Sequence, residues 1–129
     1  MSTEITALIA SVVLAGLACF QALLALKLPL GKAAWGGKWT VLPPGFRIAS
    51  TVSGILLIFA LLCVLERGGV ATIFGNDGLV FWVTWILTVF FLLYTLTNYF
   101  SLSRTEKRIM TPLSFFQFIL LLFVSTTAG

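Results

Sequence analysis

Leu28-Pro29-Leu30-Gly31-Lys32-Ala33-Ala34-Trp35-Gly36-Gly37-Lys38-Trp39-Thr40-Val41-Leu42-Pro43-Pro44-Gly45-Phe46-Arg47 is the longest interruption in an otherwise oily chain. It is basic, rich in glycine and proline, and carries two tryptophans. Proline and glycine end helices, so Pro29 and Gly31 close one helix and Pro43-Pro44-Gly45 precede the next. On either side lie apolar runs long enough to cross the ~30 Å of a bilayer's hydrocarbon, which takes ~20 helical residues.

Working outward, four such runs appear, at about 5–28, 47–65, 79–100 and 111–127. They predict an all-α protein, a four-transmembrane-helix bundle forming a single integral membrane domain over residues 1–129. Composition agrees. Charged residues make up 9% of the chain, against about 25% in a soluble domain, and mean hydropathy is +1.11. Glu66 to Gly78 reads as a short loop containing the turn Asn76-Asp77-Gly78. Ser101 to Met110 reads as a tight basic turn, with Ser103-Arg104-Thr105-Glu106 fitting a capping box and Thr111-Pro112 a second helix start. A signal peptide would carry a basic start, and the first residues offer only Glu4. Gly16-Leu17-Ala18-Cys19 matches a lipoprotein processing site poorly, because leucine is usual where Gly16 stands. The first span is expected to stay uncleaved.

Basic residues collect in cytoplasmic loops of membrane proteins. Lys27, Lys32, Lys38 and Arg47 flank or lie in the first loop, and Arg104, Lys107 and Arg108 lie in the third. Arg67 alone lies on the other side. The expectation is a protein with both termini and the Glu66–Gly78 loop outside, and a long basic loop between helices 1 and 2 in the cytoplasm. Of the functions that +4 charge suggests, nucleic-acid binding is set aside in favour of membrane topology.

No histidine is present, and Cys19 and Cys63 sit apart in apolar runs. Neither a metal site nor a disulfide framework is indicated, and no cofactor is expected. No Ser/His/Asp set or paired carboxylates suggest an enzyme. No carboxylate is expected mid-membrane, unlike the small multidrug transporters with their embedded glutamate. This argues against an ion-coupled pump.

Polar residues instead share a depth near the cytoplasmic boundary. They are Gln21 on the first helix, Ser50 and Ser53 on the second, Tyr94 and Asn98 on the third, and Ser114 and Gln117 on the fourth. At ~100° per residue, Thr84, Thr88, Thr95 and Asn98 fall on one stripe. Lipid cannot satisfy amides, so these faces should turn inward, and Gln21, Asn98 and Gln117 are expected to meet. Such a layer is either interhelical glue or a cytoplasm-facing cavity. The candidate ligand-binding set is Gln21, Ser50, Ser53, Tyr94, Asn98 and Gln117.

The first loop offers a second candidate, a lipid- or anion-binding set of Lys32, Trp35, Gly36, Gly37, Lys38, Trp39 and Arg47. Indoles favour the headgroup level and lysines attract anionic lipid. Gly36-Gly37-Lys38 could also form a backbone nest for a headgroup phosphate. The loop should therefore lie on the membrane surface.

Trp35-Gly36-Gly37-Lys38, Leu42-Pro43, Arg47-Ile48-Ala49-Ser50, Asn98, Ser101-x-Ser103-x-x-Glu106 and Met110-x-Pro112 together resemble a family of small bacterial four-helix membrane proteins of uncharacterised activity. The likeness runs from Leu26 onward, and that family often has histidine where Trp39 stands here. It implies a four-helix fold and a bacterial inner membrane, and implies no activity. The functional expectation is a non-enzymatic interaction or accessory subunit, with membrane lipid, a second copy as a homodimer, or another membrane protein as partner. The alternative is a transporter or binder of a small uncharged or lipid-like molecule, acting through the polar layer.

Overall fold

The computed structural model describes residues 2–128. Four long helices carry the chain: α1 (Thr3–Ala25), α2 (Pro44–Arg67), α3 (Asp77–Tyr99) and α4 (Thr111–Thr127). A widened turn at Glu106–Met110 runs directly into α4, so the last continuous apolar helix spans Glu106–Thr127. All four are long and apolar enough to cross a membrane, and the described residues contain no strand. This is the architecture of a multi-pass membrane protein.

Helix ends depart from the expected positions for identifiable reasons. The first helix stops at Ala25, not Leu28, because Lys27 takes a left-handed backbone with φ 69°. Lys27 N–H then donates to Leu24 O and Leu28 N–H to Leu23 O, a Schellman closure that satisfies the last carbonyls. The second helix starts at Pro44, not Arg47. Proline needs no N–H donor at the first helical position, and its fixed φ suits a helix start. Gly69 closes the far end of α2 in the same Schellman manner, with φ 81°. The expected turn Asn76-Asp77-Gly78 is the start of α3: the Asn76 side chain accepts from Leu79 N–H at 3.0 Å.

The expected basic turn Ser101–Met110 is helical for most of its length, starting after Ser103 as its capping-box pattern implies. Helix begins there at Arg104. Pro112 lacks an N–H and its ring crowds the carbonyl four residues earlier, that of Arg108. The wide turn just before Pro112 gives that carbonyl room. The shift brings Glu106 into a helix.

Sequence neighbours are also neighbours around the bundle. α1 packs most closely along α2, and α3 along α4. Ala7, Ala10 and Leu14 of α1 meet Val64 of α2 and Leu121 and Val124 of α4 in the core. Small side chains permit this close approach in lipid, where hydrophobicity alone does not drive helices together. The threonine stripe of α3 is buried as its spacing implied. Thr84, Thr88 and Thr95 donate to the carbonyls one turn back, and Thr88 pairs with Ser125 of α4 at 3.0 Å. The α2–α3 seam is much looser than the α1–α2 pair, and it holds a long, mostly apolar cavity.

Candidate functional site

At one end of the bundle, the Leu26–Pro43 connection folds back onto the helices instead of trailing away. It contains short turns at Gly31–Ala33 and Trp35–Gly37, and Gly31 N–H closes its base on Thr40 O at 2.8 Å. Leu42 and Ala34 bury against Leu24 of α1, with Trp39 and Phe46 packed alongside. The Trp39 and Phe46 rings lie 4.6 Å apart, and Trp35 and Phe46 5.4 Å. This apolar cluster explains why so oily a loop needs no solvent-facing course.

Polar bonds then close the loop's ends and pin it to α2 and to the helical segment leading into α4. Arg47 Nε donates to Ala25 O at 2.9 Å, tying α2 to the end of α1. The Trp35 indole N–H donates to Ser50 Oγ at 3.0 Å. Ser103 Oγ donates to Lys32 O at 2.5 Å and also receives Glu106 N–H at 3.3 Å. The expected capping box is thus half formed. Its glutamate does not turn back to Ser103 but accepts Gly36 N–H on Oε2 at 3.2 Å.

That bond changes the reading of Gly36-Gly37-Lys38. Gly36 N–H is spent on Glu106 and Gly37 N–H on Ala34 O, so neither is left to cradle a headgroup phosphate, and the expected nest does not form. Lys38 sits over the Trp39 ring at 5.2 Å, and Lys32 is exposed. Of the loop set, Trp35 and Gly36 serve a different space, the cavity beneath them.

The cavity occupies about 830 Å³ between α2 and α3. Its long walls are apolar: Leu56, Leu57, Phe59 and Ala60 on α2, and Val83, Ile86, Leu87, Phe90 and Phe91 on α3. Its loop end is polar, formed by Gln21, Ser53, Tyr94, Thr97, Asn98, Ser101 and Glu106 under Trp35 and Gly36. Four of the expected ligand-binding residues therefore line one space: Gln21, Ser53, Tyr94 and Asn98. Ser50 stands just behind it, holding Trp35.

Gln117 does not join them. It is wholly buried, and its amide donates to Ala10 O of α1 at 3.0 Å, away from the cavity. The expected meeting of Gln21, Asn98 and Gln117 does not occur, and no hydrogen bond links any two of these amides. Rise and angle along a helix place a residue by depth and face, but neither reveals which backbone carbonyl a buried amide will find.

Two polar atoms of cavity-lining residues are buried without a protein partner, Gln21 Oε1 and Asn98 Nδ2. Each orphan costs ~1–3 kcal/mol while unpaired. One is an acceptor and the other a donor, and a ligand's polar group reached by rotating either amide would satisfy it. Glu106, only 5% exposed, is the one charged residue in the lining. Its Oε1 has no donor among the described residues, Oε2 being held by Gly36. Sequence reasoning missed Glu106 because the capping pattern explained it locally.

Comparison with protein-family models, curated proteins and solved structures found no match. The functional reading accordingly rests on the geometry of this cavity.

At the opposite end the Glu66 carboxylate organises the short loop, accepting N–H groups of Ile73, Phe74 and Gly75 at 2.7, 2.6 and 3.1 Å. Arg67 donates to Ser125 O at 3.2 Å and stacks on Phe81. These bonds join the helix ends.

Proposed function

We propose that this protein is a non-enzymatic, multi-pass protein of the bacterial inner membrane that binds a small lipid-like molecule between α2 and α3. In this reading both termini face outward. The loop-covered end faces the cytoplasm, as the distribution of basic residues implies. The observation that carries the proposal is the cavity's division into apolar walls and one polar end. Its ~830 Å³ falls within the ~300–1,000 Å³ of small-molecule sites, which pair apolar linings with a few polar groups. A chain would lie along Leu56, Phe59, Ile86 and Phe90, with its polar head beside Gln21, Asn98 and Glu106. An accessory subunit acting only through its outer surface would need no such space, so binding ranks ahead of that role.

No carboxylate stands in the middle of a span, so binding is favoured over ion-coupled transport. The test is retention of an amphiphile by protein purified in mild detergent and weighed by native mass spectrometry. Wild type should carry one bound molecule per chain. Ser53→Phe, which fills the polar end from a half-buried position, should lose it while keeping its helical content. Equal retention by both proteins would refute the proposal.

A further inference from the structure

The cavity's charge pattern goes further than its shape. Its lining holds one carboxylate, Glu106, and no lysine or arginine. The basic side chains concentrated at this end lie elsewhere. Arg47 is committed to Ala25 O, Lys38 covers the Trp39 ring, and Lys107 covers the Tyr99 ring. An anionic head in this space would face Glu106 with no counter-charge beside it, and like charges repel.

The same end suits a cation. Glu106 Oε1 lacks a donor among the described residues, and Gln21 Oε1 is a buried acceptor without a partner. Trp35 and Tyr94 add aromatic faces to the lining, and aromatic rings attract ammonium groups through their electron-rich faces. We propose that the cavity selects amphiphiles with a cationic, ammonium-type head over anionic or uncharged ones of the same chain length. This rests on the lipid-binding reading above and names the head group which that site takes. In the bound state the ammonium sits between Glu106 and Gln21 under Trp35, and the alkyl chain follows the α2–α3 seam. The exposed lysines and arginines outside contribute a screened, longer-range field that falls off within about 10 Å in ordinary salt.

The test places the full-length protein in nanodiscs of uncharged-surface, zwitterionic lipid. Equimolar dodecyltrimethylammonium, dodecyl sulfate and dodecanol compete for it, and native mass spectrometry counts what stays bound. The ammonium compound should be retained about tenfold over each competitor, the scale of one desolvated cation–π or charge contact. Glu106→Gln keeps an acceptor for Gly36 N–H, and should lower retention of the ammonium compound until the three lie within about twofold of one another. Sulfate bound as well as ammonium, or an unchanged ammonium preference in Glu106→Gln, would overturn the charge selection and leave lipid binding standing. Retention of none of the three would overturn the lipid-binding reading itself. If Glu106→Gln fails to fold, the wild-type preference alone decides.

Discussion

Replacing Gly37 by alanine separates a docked loop from a loose one. Gly37 has φ 71°, and a Cβ there would overlap Cβ and Oγ of Ser103 and come within 2.9 Å of Lys32 O. Gly36 has φ 79° but nothing within 4 Å of its would-be Cβ. Both substitutions force a left-handed backbone on an L-residue, at ~1–2 kcal/mol. Gly37→Ala must in addition push Ser103 away, breaking its bond to Lys32 O at ~0.5–1.5 kcal/mol and straining the neighbouring charge-assisted bond from Gly36 to Glu106, worth ~1.5–3 kcal/mol. Gly36→Ala should therefore destabilise by ~1–2 kcal/mol and Gly37→Ala by ~3–5 kcal/mol. Equilibrium unfolding in mixed detergent, followed by tryptophan fluorescence, measures the difference. Equal losses would mean that the loop does not rest on Ser103, and the polar end of the cavity would lose its cover.

Other outcomes follow from the same contacts. Gln117→Leu removes an interhelical donor to Ala10 O. It should destabilise by no more than ~1–2 kcal/mol, because such bonds average only ~0.6 kcal/mol in membranes, and should leave amphiphile retention unchanged; unfolding and mass measurements on one preparation check both. Glu66→Ala removes the acceptor for three loop N–H groups, and should speed proteolysis between residues 68 and 76 without altering retention. With Cys19 and Cys63 replaced, Ser2→Cys should react with an impermeant thiol reagent in intact cells and Lys38→Cys should not. The reverse pattern would invert the proposed orientation.

Much of the fold was legible because hydrophobicity is local. Four runs of sufficient length, separated by proline, glycine and charge, require no knowledge of distant contacts. Helix ends were less legible. Lys27 takes a left-handed cap usually given to glycine, and Pro44 reads equally well as a loop residue or a helix start. Within the site, Gln21 and Asn98 stood out as amides in apolar surroundings, and the cavity includes both. Glu106 did not stand out, since its burial depends on Gly36, seventy positions away in sequence. Gln117 looked like its fellow amides but bonds a backbone carbonyl, and carbonyls carry no mark in a sequence. The expected Gly36-Gly37 nest is missing for a similar reason: Gly37 N–H turns to Ala34 O and only Gly36 N–H reaches a carboxylate, that of the distant Glu106.

The central claim is that an amphiphile lies along the α2–α3 seam with its head under the loop. Photo-crosslinking with alkylammonium probes tests it most directly, using a diazirine placed either beside the head or at the chain end. The account predicts that the head-proximal diazirine labels peptides containing Asn98, Ser101 or Glu106, and the chain-end diazirine labels Phe59, Val83 or Ile86. Labelling spread over the outward-facing Val12, Ile48, Val52 and Phe115, whichever position carries the diazirine, would contradict it.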